Sequence, residues 1–284
     1  MLIADIQDAQ LHRVLRDREG LRVFAALDEY GNISTDMILN ACKSVETMAR
    51  KARENGATAI HLFATSAVRD AHNQGELCES LLRTTGLTPE ICSGDLEARL
   101  SFLGATNEKR SGVIDIGGGS TEIVVGRGDR GDYATSLQMG AGRLYRVHPI
   151  TSAEDADEVV ELAKSILRAE SGRLTALEPP EEWIGVGGTF TTTAALVQDV
   201  PWERRGSIHG FHAKASDIRL TMEHLAPMKM ENRLKLAGLQ PQRADIIVHG
   251  LAILTACMEL LNIREIVVSE HGNLEGYLKY KYLR

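Results

Sequence analysis

The residues best suited to chemistry stand together between two apolar runs in the middle of the chain. Asp115 lies at the end of the first run, three glycines from Gly117 to Gly119 follow, and Ser120, Thr121 and Glu122 lead into the second run. Glycines allow backbone N–H groups to turn towards an anion without side chains in the way, and the two hydroxyls can add donors. Asp115 and Glu122 flank the glycines and can hold Mg²⁺ or position a water. The pattern therefore predicts a phosphate-binding loop beside a metal or a water.

Other interpretations of the same glycines are a P-loop, a dinucleotide-binding turn or a purely structural corner. A P-loop needs a lysine followed by Ser or Thr, and the dinucleotide fingerprint needs Gly-x-Gly-x-x-Gly at the start of a helix. Neither pattern fits, because no lysine follows and the β-branched run Ile123–Val125 returns as a strand. The acid before the glycines and the Ser-Thr-Glu sequence after them favour a phosphate loop over a structural corner.

Hydrophobic periodicity predicts how the first half of the chain leads to this hairpin. The predicted elements are strands over Leu2–Ile6 and Leu21–Leu27, a helix from Ser34 or Thr35 to Asn55, a strand over 59–64 and a helix over 95–103. Glu97 falls in the first turn of the last of these helices. The polar segment 107–112 precedes the hairpin and is interpreted as a domain boundary, which gives domains over residues 1–110 and 111–284.

The second half is predicted to repeat this organisation, with a β-meander followed by helices and strands. The predicted elements are the meander over 113–137, helices over 153–174, 191–197, 246–261 and 273–280, and strands from Trp183 to the glycine turn and over 265–269. The glycine turn before the 191–197 helix can present phosphate-binding groups at a helix N-terminus. The fold class predicted from these elements is α/β.

Composition limits the classes of partner. The chain has 284 residues, 43% of them hydrophobic, and a formal net charge of −7. This charge disfavours general binding to nucleic acid or a membrane surface, so an anionic substrate has to be attracted by local arginines, helix N-termini or a metal. Four widely spaced cysteines without a Cys-x-x-Cys pair predict buried free thiols and a reducing cytoplasm.

Several motifs in order along the chain resemble those of one known family. They are Ala64-Thr65-Ser66-Ala67-Val68-Arg69-Asp70-Ala71, Ser93-Gly94-Asp95-Leu96-Glu97-Ala98-Arg99-Leu100, the central loop, Ser136-Leu137-Gln138-Met139-Gly140-Ala141, Gly185-Val186-Gly187-Gly188-Thr189 and Val268-Ser269-Glu270-His271-Gly272. Together they resemble the exopolyphosphatase and guanosine-pentaphosphate phosphohydrolase family of the actin, sugar kinase and Hsp70 superfamily. The resemblance implies two actin-like, ribonuclease H-like domains with a cleft between them.

The resemblance also implies roles for individual residues. Glu97 corresponds to the acid that activates water in this family, although many relatives have two adjacent acids where this chain has Leu96 and Glu97. The alternative role for Glu97 is a solvated carboxylate that stabilises a helix N-terminus. Arg69 and Arg99 are candidates for binding phosphate oxygens, and the alternative for each is an ion pair on a helix face.

Two further sets of contacts are expected. Gly187, Gly188 and Thr189 correspond to the superfamily's nucleotide-side loop, which in this family can bind polyphosphate or a guanosine phosphate tail. Asp115 and Glu122 form the expected Mg²⁺-binding or water-positioning pair. The resemblance also implies a homodimer.

The expected function is release of terminal phosphate from polyphosphate or guanosine pentaphosphate. Family members begin with a strand that carries a first phosphate loop, and this sequence starts after it, so the first domain is expected to lack that strand and hydrolysis is expected to be slow. The alternatives are a catalytically weak sensor of polyphosphate or guanosine phosphates and a sugar-kinase-like phosphotransferase. Release of phosphate without an acceptor distinguishes the hydrolase from the phosphotransferase.

Overall fold

The computed structural model describes residues 1–8, 10–202 and 204–283. The chain forms two compact units, one of residues Met1–Glu97 with the chain from Leu278 onward, the other of Ala98–Tyr277. The strands are β1 Leu2–Gln7, β2 Gln10–Arg16, β3 Phe63–Ala64, β4 Glu90–Ile91, β5 Arg110–Ile116, β6 Thr121–Arg127, β7 Arg130–Leu137, β8 Glu182–Val186, β9 His212–Lys214 and β10 Glu265–Ser269. The helices are α1 Thr35–Glu54, α2 Ser66–Arg69, α3 Gln74–Thr85, α4 Gly94–Ala105, α5 Ala141–Val147, α6 Ala153–Thr175, α7 Gly188–Val197, α8 Ala215–Leu225, α9 Met230–Arg233, α10 Ile247–Leu260 and α11 Asn273–Tyr282. The α/β class expected from the sequence is confirmed.

The first unit is built on helix α1 and two short two-stranded sheets. Ser34 is the N-cap of α1 and accepts a hydrogen bond from the Met37 N–H, which satisfies one of the donors left free at a helix start. The apolar face of α1 packs against α3. Strands β1 and β2 form an antiparallel hairpin, and β3 pairs with β4 in parallel.

The strand predicted over Leu21–Leu27 is wrong. Residues Val23–Ala26 form a 3₁₀ helix, and Arg22 before them adopts the left-handed conformation, with φ of 56° and ψ of 42°. A left-handed residue turns the chain out of the extended path, so the following apolar residues cannot continue a strand. Phe24 is buried in the resulting turn.

The second unit contains a six-stranded sheet in the order β7-β6-β5-β8-β10-β9. Strands β5, β6 and β7 form the predicted antiparallel meander, whereas β5, β8 and β10 run parallel to one another. The side chains of β5 are buried along its whole length, as is usual for a central strand covered on both faces. The carboxyl ends of β5 and β8 therefore meet at one edge of the sheet, the edge at which α/β sheets commonly bind ligands.

The core of this unit centres on α10, which is apolar and buried through almost all its length. It packs against α6, whose start is fixed by a capping box between Ser152 and Asp155. Helix α5, which follows the meander, also packs on α10. This core supports the loops at the carboxyl ends of the strands.

Among the described residues, no helix is both long and apolar enough to cross a membrane. All four cysteines are free, and Cys42, Cys92 and Cys257 are buried while Cys78 is half-buried. Burial, followed by the nearby carboxylates of Glu90 and Glu97, raises the pKa of the Cys92 thiol to about 11, and burial raises that of Cys257 to about 12. Both groups therefore remain protonated thiols at neutral pH.

Candidate active site

The glycine loop predicted to bind phosphate forms the turn between β5 and β6. The Gly117 N–H donates to the Ser120 carbonyl at 3.0 Å, which closes the turn. Gly117 and Gly118 are half-buried, whereas Gly119, Ser120 and Thr121 are buried. A ligand can therefore approach the loop at its first two glycines.

Helix α5 holds the loop from behind through the loop carbonyls. The N–H groups of Ala141 and Arg143 donate to the carbonyls of Gly117 and Gly118 at 3.0 and 2.9 Å. The Arg143 Nε donates to the Gly119 carbonyl at 2.7 Å. Because three successive carbonyls are bonded on this side and the Gly117 N–H closes the turn, the N–H groups of Gly118 and Gly119 are the polar groups that the loop can offer to an anion.

Two neighbouring contacts keep this arrangement tight. A Cβ placed at Gly140 would lie 2.5 Å from the Gly118 carbonyl carbon, so only glycine allows α5 to approach the loop this closely. The Thr121 hydroxyl donates to the Met139 carbonyl. A hydroxyl has one hydrogen, so in this structure that hydrogen fixes the loop instead of pointing to a ligand.

Asp115 and Glu122 lie directly opposite each other on β5 and β6. Opposite residues of an antiparallel pair share one face of the sheet, with Cβ atoms roughly 4.5–5.5 Å apart. Glu122 is 2% exposed and accepts a hydrogen bond from the Ser136 hydroxyl at 2.7 Å, while Asp115 is 8% exposed. Two buried carboxylates side by side repel each other unless a cation or a shared proton offsets their charges.

The pair fits Mg²⁺ better than metals that need a larger protein ligand set. Within the described ranges, no group of three or more His, Cys, Asp or Glu side chains is placed to hold a metal. Mg²⁺ is commonly bound by one or two carboxylates, with waters and substrate phosphate oxygens as its other ligands. Asp115 and Glu122 would be the two protein ligands.

The second glycine turn follows β8 and lies against Asp115. Gly187 has φ of 97° and ψ of 179°, and a Cβ placed there would lie 2.8 Å from the Asp115 Oδ1. Helix α7 begins at Gly188, three residues before the start predicted from sequence. Thr189 is buried and packs against Gly250. The structure therefore brings Gly187, but not the Thr189 side chain, to Asp115.

Arg243 is a residue of this site that the sequence did not indicate. A Cβ placed at Gly188 would lie 1.8 Å from the Arg243 Cζ, so the guanidinium rests directly on the glycine turn. A guanidinium at the N-terminus of α7 adds positive charge where the helix dipole is already positive, a combination that favours an anion. The only signal in the sequence is an arginine shortly before an apolar helix.

In the first unit, Glu97 and Arg69 form an ion pair. The Arg69 Nη1 donates to the Glu97 Oε2 at 2.9 Å and to the Cys92 carbonyl at 2.8 Å, and the Ser66 N–H donates to the same Oε2 at 3.3 Å. Glu97 is 7% exposed, so it is not a solvated carboxylate. Both donors hold Oε2, which leaves Oε1 as the oxygen suited to accept a proton.

The two predicted arginines differ in their surroundings. The Arg69 Nη2 is buried and has no hydrogen-bond partner in the described part of the chain. A buried donor without a partner costs about 1–3 kcal/mol, so a phosphate oxygen bound there would be favourable. Arg99 is exposed and lies two residues after Glu97 on α4, so the two side chains leave the helix on different sides.

The sequence model of the Ppx/GppA phosphatase family matches residues 2–284 of this chain. The chain belongs to that family. Exopolyphosphatase 2 of Mycobacterium tuberculosis is 30% identical over 97% of this chain and 92% of its own length. The motifs quoted from the sequence are therefore those of a Ppx/GppA protein, and the resemblance on which their roles rest is confirmed.

Solved structures of Ppx/GppA proteins share the fold. The Ppx/GppA enzyme of Aquifex aeolicus superposes with a TM-score of 0.81 at 26% identity, covering 98% of this chain and 93% of the other. An exopolyphosphatase from Cytophaga hutchinsonii superposes with a TM-score of 0.86 at 22% identity, covering 100% of this chain and 94% of the other. The architecture described above is therefore that of the Ppx/GppA fold.

Proposed function

We propose that this protein is a Mg²⁺-dependent hydrolase that releases terminal phosphate from inorganic polyphosphate. Membership of a phosphatase family and similarity to proteins named exopolyphosphatases support this reaction and this substrate. Free thiols support a reducing compartment, and we place the protein in the cytoplasm. The finer choice between polyphosphate and guanosine pentaphosphate rests on the names of these relatives.

The main support for this proposal is the arrangement of the glycine loop between Asp115 and Glu122. Its carbonyls are bonded to α5, which leaves the N–H groups of Gly118 and Gly119 for an anion, and the two carboxylates share one face of the same hairpin. An anion-binding loop next to a pair of buried acids is what phosphoryl transfer needs, since that reaction depends on positioning and charge stabilisation. Neither feature alone requires a phosphate ligand, but the two together favour one.

The residues then take the following roles. Asp115 and Glu122 would hold Mg²⁺, which would act as a Lewis acid and offset charge on the phosphate oxygens. The N–H groups of Gly118 and Gly119 and the Arg243 guanidinium bind phosphate oxygens and orient the terminal group, while the Gly117 N–H closes the turn. Each such contact is a charge-assisted hydrogen bond, stronger than a bond between neutral groups.

Glu97 acts as the general base in this proposal. Its Oε2 is fixed by Arg69 and the Ser66 N–H, and its Oε1 takes a proton from the attacking water. A positioned general base typically contributes about 10²–10⁴-fold to a rate. Arg69 thus has two tasks, since Nη1 orients the base and Nη2 remains as a donor for a phosphate oxygen.

The test is phosphate release by the purified protein with polyphosphate, with guanosine pentaphosphate, and with each in the presence of a chelator. We expect release from polyphosphate without any acceptor, and loss of release when Mg²⁺ is removed. Polyphosphate binding without release would instead make the protein a sensor. Release from guanosine pentaphosphate alone would refute the polyphosphate assignment.

A further inference from the structure

Ser101 is a fully buried serine on α4 whose hydroxyl forms its hydrogen bond with a residue outside that helix. Its Oγ donates to the Asp115 Oδ2 at 2.5 Å. A buried Ser or Thr within a helix commonly donates to the carbonyl one turn earlier, as Thr106 at the end of α4 does to Phe102 at 2.7 Å. The Ser101 hydroxyl is therefore committed to a carboxylate of the candidate active site.

The other oxygen of Asp115 faces a space that only glycine leaves open. A Cβ at Gly187 would lie 2.8 Å from Oδ1. With Oδ2 bound to Ser101, the plane of the carboxylate is fixed and Oδ1 is directed to the glycine turn. A partial rotation of the carboxylate would carry Oδ2 away from the Ser101 hydroxyl and break this hydrogen bond.

The part of α4 that carries Ser101 is held rigidly within the second unit. A Cβ at Gly104 would lie 1.8 Å from the Gly272 carbonyl oxygen, and a Cβ at Gly276 would lie 1.8 Å from the Leu100 carbonyl oxygen. Helix α4 and the start of α11 are thus in backbone contact on either side of Ser101. A donor on such a fixed element can hold a carboxylate in one geometry.

We propose that Ser101 is a positioning residue that presents the Asp115 Oδ1 to Mg²⁺. The inference rests on the proposed function of Asp115 as a metal ligand and adds a residue that supports that ligand. Hydrogen bonds from surrounding side chains to a ligating carboxylate fix its direction, and their loss typically costs about 10–100-fold in metal affinity or activity. Ser101 itself touches neither the metal nor the substrate.

The chain provides a matched control in the first unit. Ser44 is also buried on a helix and donates to a carboxylate, Glu19, at 2.5 Å. Ser44→Ala removes the same kind of bond away from Asp115, so it reports the effect of losing such a bond on stability alone. Ser101→Thr keeps the hydroxyl and serves as the rescue variant.

The experiment measures Mn²⁺ affinity by electron paramagnetic resonance, together with kcat and KM for polyphosphate and the melting temperature. For Ser101→Ala we expect Mn²⁺ affinity and kcat to fall roughly 10–100-fold, with KM changed less than about twofold. Ser101→Thr should recover most of both losses. Ser44→Ala should keep wild-type affinity and kcat.

Two results would overturn the inference: wild-type Mn²⁺ affinity in Ser101→Ala, or equal losses in Ser101→Ala and Ser44→Ala. Failure of the proposed function is a separate result, since it is seen in the wild type as absence of phosphate release. Mn²⁺ binding still tests Ser101 in that case. Weaker Mn²⁺ binding in Ser101→Ala would then support the positioning role without hydrolysis.

Discussion

Replacement of Gly187 by alanine should damage the site through two separate effects. The backbone there has φ of 97° and ψ of 179°, a region that is essentially restricted to glycine. Strain of this kind costs about 1–3 kcal/mol. For a domain of the size of the second unit, each kcal/mol of lost stability lowers the melting temperature by about 2–4 °C. The melting temperature should therefore fall by roughly 2–12 °C.

The second effect is displacement of Asp115. The new Cβ would lie 2.8 Å from Oδ1, and ordinary contact begins at 3.4 Å, so one of the two atoms must move by about 0.6 Å. A misplacement of about 1 Å can cost about 100-fold in rate. We therefore expect kcat for polyphosphate to fall roughly 10–100-fold in a protein that still folds.

Gly210→Ala is the control for strain without displacement. Gly210 also has a positive φ, of 79°, but a Cβ there meets nothing within 4 Å. This variant should lose stability and keep its kcat. Phosphate release and thermal melting of both variants separate the two effects, and a wild-type kcat in Gly187→Ala would refute the argument that Asp115 needs this space.

Two further substitutions test the loop and the core. Gly118→Val should abolish polyphosphate binding in calorimetry, because it places a β-branched side chain where an anion must approach, and retained affinity would make the hairpin only structural. Burial is the largest influence on the His249 imidazole, and it lowers the pKa of that group. Below about pH 6.5 the unfolded chain therefore binds more protons at this residue than the folded chain does, so stability is lost as pH falls. The melting temperature of His249→Gln should therefore fall less between pH 7.5 and 5.5 than that of wild type, and parallel pH profiles would contradict this.

Local patterns in the sequence are sufficient to predict the elements that carry the phosphate loop. The acid, the glycines and the returning β-branched run predict the β5–β6 hairpin, because strand pairing and turn chemistry there agree over a short stretch. The cap at Ser34 likewise predicts the start of α1. In both cases the deciding interactions lie within a few residues of one another.

The remaining features depend on contacts between distant parts of the chain. Leu21–Leu27 has strand-forming residues, but the left-handed Arg22 overrides their propensity. Ser101 and Arg243 acquire their roles only from packing against Asp115 and Gly188, and no spacing in the sequence shows either contact. The burial of the Thr189 side chain also follows from packing, through its contact with α10.

The most direct test of the account is Glu97→Gln, because it removes the proposed base and keeps the shape of the side chain. We expect kcat for phosphate release to fall roughly 10²–10⁴-fold, while calorimetric affinity for polyphosphate stays within about twofold of wild type. A binding role for Glu97 would instead lower affinity together with turnover. Unchanged kcat in Glu97→Gln would contradict the mechanism, since the proton of the attacking water would then go to another group.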